Sequence, residues 1–228
     1  MDLKENLESV LEEIEDAKSK SHFNRDVELI AVSKTHPVEM IERVRDLGIT
    51  EFGENKVQEL RDKIELVKDV NFHLIGNLQT NKVKYIYDKV KLIHSLDRIK
   101  LAKEINKRAE SSDIIVDCLV QINIGNEETK SGIRYEETEE FISKLEDFQN
   151  IHIKGLMAIA PNTSDEDLIR KCFEKMNNKF EDIGSKDYKN VEMKYLSMGM
   201  SNDFKIAIEE GSNMVRIGSK IFGNRNYN

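Results

Sequence analysis

The chain is poor in the residues that mark several common classes of protein. Its two cysteines, Cys118 and Cys172, form no metal motif and no disulfide framework. It has two prolines in 228 residues, and no glycine-rich hinge or low-complexity block divides it, so we expect a single domain over residues 1–228. No apolar run is long enough to span a membrane. These absences predict a cytoplasmic protein with no membrane partner.

The charge and the missing motifs exclude further classes of function. Asp and Glu (43) outnumber Lys and Arg (35), and the net charge of −8 argues against nucleic-acid binding, which requires a basic surface. The five histidines show no HxH or HxxxH spacing, so no metal site is expected. The sequence also lacks a P-loop, a GxSxG nucleophile elbow and a CxxC motif.

The sequence does contain eight short apolar runs that alternate with segments typical of helices. The runs predict strands at 28–34, 50–54, 72–76, 91–96, 117–124, 152–159, 194–199 and 213–219. The helical pattern covers 2–20, 38–48, 55–67, 97–110 and 167–183, the last after Thr163, Ser164 and Asp165. Eight strands that alternate with helices predict an α/β fold, a (β/α)8 TIM barrel with an extra N-terminal helix. The alternative is an open doubly wound sheet, although its usual glycine-rich first turn is missing at 33–37.

Chemistry in such a barrel belongs at the carboxyl ends of the strands, where a lysine and an arginine are found. Lys34 ends the first run, and a partly desolvated lysine suits Schiff-base chemistry with an aldehyde cofactor such as pyridoxal phosphate (PLP). A lysine that simply reaches solvent is the alternative. Arg216 in the last run could hydrogen-bond a pyridine nitrogen or pair with a carboxylate such as Glu51 or Glu54.

Glycine and hydroxyl residues follow the last two predicted strands. Gly218 permits close backbone approach, and Ser219 and Ser201 offer donors for a phosphate. Alternatively, Ser201 or Asn202 caps a helix and Gly218 serves a turn. Asn55 contacts a ring hydroxyl or caps the next helix, and capping is the favoured interpretation. His73 and His94 lie in apolar strands and are interpreted as buried structural histidines.

Ordered motifs along nearly the whole chain carry a family resemblance. They include AVSKT, FGEN, VQE, HLIG, GLMAI, LSMGMSNDF and VRIG. Together they resemble the PLP homeostasis proteins, also known as the YggS/PROSC family. That family is similar to the N-terminal barrel of alanine racemase, so the resemblance implies a fold-type III PLP-binding barrel.

The resemblance also implies roles for individual residues. Lys34 would hold PLP as a Schiff base, and Arg216 would face the pyridine nitrogen. The other implied cofactor-binding residues are Asn55, Met157, Ser197, Met200, Ser201, Gly218 and Ser219. No catalytic residue is implied.

The resemblance implies a protein that binds, buffers and delivers PLP without robust turnover. PLP-dependent apoenzymes are the implied recipients, and a monomer is expected. The alternative is a PLP-dependent amino-acid racemase, which needs bases on both faces of its substrate. The predicted barrel uses the chain to residue 223, and Tyr227 in the tail is a poor second base. A barrel without PLP, in which Lys34 is structural, is the third interpretation.

Overall fold

The protein opens with a long amphipathic helix. The computed structural model describes residues 2–125, 127 and 131–223, so Tyr227 lies outside the described residues. Helix α1 (Leu3–Lys20) begins after Asp2, whose side chain accepts a hydrogen bond from the Lys4 amide at 2.9 Å. Five apolar side chains at helical spacing are buried and fix the helix against the rest of the chain: Leu3, Leu7, Val10, Ile14 and Ala17.

The described residues form nine strands and seven further α-helices. The strands are β1 (Glu28–Val32), β2 (Glu51–Glu54), β3 (Asn71–Leu74), β4 (Leu92–Leu96), β5 (Val116–Asn123), β6 (Ile133–Arg134), β7 (Ile151–Ala158), β8 (Val191–Met200) and β9 (Met214–Ile217). The helices are α2 (Val38–Asp46), α3 (Val57–Ile64), α4 (Ile99–Ser111), α5 (Thr138–Leu145), α6 (Glu166–Gly184), α7 (Phe204–Glu209) and α8 (Ser219–Phe222). Two short 3-10 helices cover Thr80–Tyr85 and Tyr135–Glu137.

Eight of the strands close into a parallel barrel. Their order is β4-β3-β2-β1-β9-β8-β7-β5, and β5 pairs with β4 to complete the circle. The predicted TIM barrel with an extra N-terminal helix is therefore confirmed, and the open-sheet alternative is wrong. All eight predicted strands are present, with ends that shift by up to three residues. The ninth strand, β6, adds two residues beside β5 and is too short to show any period in the sequence.

The barrel strands are buried on both faces, as expected when helices surround a parallel sheet. A large apolar cluster lies between the strands and the helices. A smaller cluster fills the barrel interior and consists of Ile30, Leu92, Leu119, Met157 and Met214. Buried polar side chains share that interior, among them His73, His94 and Arg216. Within the described residues, no helix combines the length and apolar character that a membrane span requires.

Candidate cofactor site at the mouth of the barrel

A cavity of about 760 Å³ opens at the carboxyl ends of the strands. Seven of the nine residues predicted to bind a cofactor line it: Lys34, Asn55, Met200, Ser201, Arg216, Gly218 and Ser219. The other two, Met157 and Ser197, do not line the cavity and are fully buried in the barrel. The fold therefore gathers residues from both ends of the chain around one space large enough for a small cofactor.

Lys34 lies in a turn rather than in the strand. Strand β1 ends at Val32, two residues earlier than the sequence predicts, and Lys34 and Thr35 form the turn that leads to α2. Thr35 adopts a φ of 67°, a left-handed conformation that costs energy for a β-branched residue. Lys34 is half-buried and its side chain lines the cavity, unlike a lysine that extends freely into solvent.

A buried ion pair supports this turn from below. Lys63 Nζ donates to Glu54 Oε1 at 2.7 Å and to the Ser33 carbonyl oxygen at 2.8 Å. The Ser33 hydroxyl also donates to Glu54 Oε1, at 2.7 Å. Glu59 accepts hydrogen bonds from Lys63 and from the Thr35 amide. The residues on each side of Lys34 are thus tied to α3 and β2.

Sequence reasoning missed Lys63. It lies three residues after Leu60 and six after Val57, on the face of α3 that is buried. A lysine at an apolar position of an amphipathic helix is the signal that could have identified it. Burial raises the pKa of Glu54, and the positive charge of Lys63 opposes this rise.

The structure overturns the capping interpretations. Helix α3 begins at Val57 after Lys56, so Asn55 does not cap it and instead lines the cavity. Helix α7 begins at Phe204 after Asp203, so neither Ser201 nor Asn202 caps it. The tight turn that follows Met200 places Ser201 at the cavity wall before the helix can start.

Ser201, Gly218 and Ser219 form one corner of the cavity. The Gly218 amide donates to Ser201 Oγ at 3.4 Å, which joins the ends of β8 and β9. A Cβ atom on Gly218 would lie 3.0 Å from the Val32 carbonyl oxygen, so a side chain would crowd this wall. The hydroxyls and backbone amides of this corner are donors suited to a phosphate.

Arg216 extends from β9 into the barrel and is almost completely buried. Its Nη1 donates to Ser197 Oγ at 2.5 Å, and its Nη2 donates to the Ala158 carbonyl oxygen at 2.9 Å. Burial lowers the pKa of Arg216 to about 10, and the nearby Asp203 carboxylate opposes this shift. The guanidinium therefore remains charged at neutral pH.

The alternative role for Arg216, an ion pair with Glu51 or Glu54, is wrong. Glu54 pairs with Lys63, and Glu51 bonds to His73 and Lys91. The hydrogen-bond partners of Arg216 are neutral oxygens, and its charged group borders the cavity. Lys34 and Arg216 thus bring an amine and a fixed cation to the same space.

Comparison with known proteins places the chain in a family. A family model described as alanine racemase, N-terminal domain, matches residues 6–226. A pyridoxal phosphate homeostasis protein of Aquifex aeolicus is 43% identical over 226 residues, which cover 98% of each chain. The chain belongs to this family of pyridoxal phosphate homeostasis proteins.

Solved structures agree with the assignment. PipY of Synechococcus elongatus, a structure with PLP bound, superposes with a TM-score of 0.83 at 28% identity, covering 97% of this chain and all of PipY. An alanine racemase of Clostridium difficile superposes with a TM-score of 0.72 at 17% identity, which shows a shared fold. That match covers 98% of this chain and 61% of the racemase. The alanine-racemase-like barrel is therefore the fold of this member of the family.

Proposed function

We propose that this protein binds pyridoxal phosphate through Lys34 and takes part in its homeostasis by holding and delivering it. The observation that carries the proposal is the placement of Lys34, Arg216 and the Ser201–Gly218 corner around one cavity. Relatives named pyridoxal phosphate homeostasis proteins and the PLP-bound PipY structure support the same cofactor.

The residues around the cavity fit the three chemical parts of the cofactor. Lys34 presents the amine that a Schiff base needs, on a turn that the Lys63–Glu54 pair holds in place. Arg216 presents a charged donor that would keep a pyridine nitrogen unprotonated. Ser201, Gly218 and Ser219 offer hydroxyl and amide donors to the phosphate. When bound, PLP supplies an aldehyde carbon and an electron-withdrawing ring.

We further propose that the protein does not turn over amino acids at ordinary enzyme rates. An arginine beside the ring nitrogen leaves the ring a weaker electron sink, which a carrier tolerates better than an enzyme does. Racemisation would also require a second base across the cavity from Lys34. The described residues that line the cavity include no tyrosine and no cysteine, and the side chains there that could accept a proton are His36, Glu166 and Asp203. We propose that none of the three serves as that base.

The first experiment is the visible absorption spectrum after PLP is added and the excess removed. We expect a yellow Schiff-base band in the wild type and in Lys68→Ala, and no band in Lys34→Ala. Lys68 is a matched control because it is exposed and does not line the cavity. Absence of the band in the wild type, or its persistence in Lys34→Ala, would refute the role of Lys34.

The second experiment separates a carrier from an enzyme. The loaded protein is mixed with the apo form of a PLP-dependent enzyme, in the presence of a phosphatase that destroys free PLP. Recovery of the enzyme's activity above that obtained with free PLP supports delivery. Conversion of an amino acid to its opposite enantiomer at several turnovers per second, with deuterium from deuterated water taken up at the α-carbon, would instead establish the racemase. The cytoplasmic location, the monomeric state, the single domain and delivery to PLP-dependent apoenzymes remain predictions.

A further inference from the structure

A continuous line of hydrogen bonds crosses the barrel interior below the cavity. It starts at Arg216, whose Nη1 lies 2.5 Å from Ser197 Oγ. Ser197 Oγ lies 3.2 Å from His94 Nδ1, and His94 Nε2 lies 3.0 Å from His73 Nδ1. His73 Nε2 lies 2.7 Å from Glu51 Oε2. The three middle residues are fully buried, so water cannot replace these bonds.

The two ends of the line lie at opposite ends of the barrel. Arg216 borders the cavity at the carboxyl ends of the strands. Glu51 is the first residue of β2 and therefore lies at the amino ends of the strands. Neither Glu51 nor the two histidines line the cavity. His73 and His94, interpreted from the sequence as buried structural histidines, lie on the neighbouring strands β3 and β4 and face the barrel interior.

For two neutral histidines, the chemistry of the end groups sets the direction of every bond. A guanidinium can only donate hydrogen bonds and a carboxylate can only accept them. Because Glu51 accepts, His73 carries a proton on Nε2. With His73 neutral, its Nδ1 accepts from His94 Nε2. His94 Nδ1 then accepts from the Ser197 hydroxyl, whose oxygen accepts from Arg216. Both histidines are neutral in this arrangement, and every donor points from Arg216 towards Glu51.

The charged surroundings of Glu51 keep it ionised. Lys91 Nζ lies 2.9 Å from Glu51 Oε2 and 3.3 Å from Glu28 Oε1, and the Asn71 amide donates to Glu51 Oε1 at 2.7 Å. Burial alone would raise the pKa of Glu51, but the hydrogen bonds from His73, Asn71 and Lys91 lower it to about 2. At the other end, Asp203 is the carboxylate whose charge acts on Arg216.

Burial also keeps His94 neutral. It lowers the pKa of His94 well below its usual range, and the positive charge of Arg216 acts in the same direction. Burial and the Arg216 charge therefore both favour the neutral form of His94 that the arrangement requires.

We propose that the relay Arg216–Ser197–His94–His73–Glu51 makes Glu51 the remote counter-ion of Arg216, and that His94, His73 and Glu51 are positioning residues for the cofactor ring. The relay holds one guanidinium N–H group on Ser197, and the Ala158 carbonyl oxygen accepts a second. The relay also adds the negative charge of Glu51 to that of Asp203 for a buried cation whose direct hydrogen-bond partners are neutral. The effect on the cofactor ring rests on the proposed function. The relay itself rests only on the geometry of the protein.

The first test needs no cofactor. Long-range ¹H–¹⁵N spectra of the labelled protein report which ring nitrogen of each histidine carries a proton. We expect the Nε2–H tautomer for both His73 and His94, with His94 neutral between pH 5 and 8. An Nδ1–H tautomer at either ring, or a titration of His94 in that range, would overturn the relay.

The second test compares two carboxylates at the same end of the barrel. Glu51→Gln removes the charge from the relay, whereas Glu28→Gln removes a charge that contacts Lys91 and lies outside the relay. Loss of the counter-ion makes the site more positive, so Glu51→Gln should lower the pH midpoint of the visible band of bound PLP by about 0.5 unit. Glu28→Gln should lower it by less than half as much.

The outcomes of these tests distinguish a failure of the relay from a failure of the proposed function. Equal shifts in the two variants, or no shift in Glu51→Gln, would overturn the remote counter-ion although the protein binds PLP. A wild-type protein with no visible band would refute the proposed function and the effect on the ring. In that case the histidine tautomers still decide whether the relay exists.

Discussion

Lys63 and Glu54 form an ion pair beneath the turn that presents Lys34, with 2.7 Å between Nζ and Oε1. Only 8% of the Lys63 side chain and none of the Glu54 side chain is exposed. The pair also bonds to both the hydroxyl and the carbonyl oxygen of Ser33, the residue before Lys34. The position of the Lys34 amine therefore depends on residues that do not line the cavity.

Replacing Lys63 by methionine should destabilise the protein and weaken its hold on PLP. The substitution leaves Glu54 buried without its cation, which costs about 3–5 kcal/mol when one partner of a buried pair is lost. Urea unfolding measures this loss, and the yield of the visible band at limiting PLP measures the effect on Lys34.

The matched control removes both charges. Glu54→Leu combined with Lys63→Met leaves no uncompensated charge, so most of the lost stability should return. A Lys63→Met protein as stable as the wild type would show that the pair does not hold the turn.

The contribution of Glu51 to the free energy of unfolding should depend on pH in the acid range. Its pKa is lowered from 4.5 to about 2 in the folded protein, so its contribution is complete above pH 4.5 and is lost as the pH falls towards 2. Glu51→Gln should therefore lose about 2 kcal/mol at pH 7, a value reduced from the full linkage because the side chain is partly solvated.

Urea unfolding of the wild type and Glu51→Gln from pH 7 to 2 measures this dependence. The difference between the two proteins should narrow between pH 4.5 and 2. Glu28→Gln serves as the comparison, since Glu28 contacts Lys91 near the surface, and about 1 kcal/mol or less is expected. A Glu51→Gln difference that stays constant with pH would contradict the prediction.

Gly199 should not tolerate alanine, because two constraints act there together. It adopts a φ of +94°, and a Cβ atom would lie 2.6 Å from the Ala207 Cβ and 2.9 Å from the Phe204 Cα. Gly48 has a similar φ of +100° but nothing within 4 Å of its Cβ position. We expect Gly48→Ala to cost about 1 kcal/mol, from the backbone alone, and Gly199→Ala about 3 kcal/mol.

Thermal or urea unfolding of the two glycine variants measures that difference. Gly199 precedes the Met200–Ser201 wall of the cavity, so its alanine variant should also bind PLP more weakly. Equal losses of stability in Gly199→Ala and Gly48→Ala would mean that contact with α7 does not constrain position 199.

The barrel was predictable because its signals are local. A buried parallel strand appears in the sequence as a run of apolar residues. An amphipathic helix appears as apolar residues that recur with a period of 3.6 residues. The eight runs and the helices between them therefore predicted the order of the elements, and strand ends such as Val32 were the least exact part. Lys34 and Arg216 were identified because charged residues are conspicuous at the end of apolar runs.

The partners of those residues were not predictable, because their contacts join distant parts of the chain. The Arg216–Ser197 bond joins residues 19 apart, the Ser197–His94 contact joins residues 103 apart, and nothing local distinguishes His94 from an ordinary buried histidine. The capping interpretation of Asn55 failed for a related reason: the helix begins two residues later, which only the packing of α3 decides.

The sequence by itself determined the alternation of strands and helices, the family and the two charged residues at the mouth, since these depend on residue type and spacing. Only the tertiary structure decided which side chains meet inside the barrel. Closing the sheet places one residue of each strand opposite residues of other strands, and burial then requires each polar group to find a partner. That requirement links Lys63 to the Lys34 turn and Glu51, through two histidines, to Arg216.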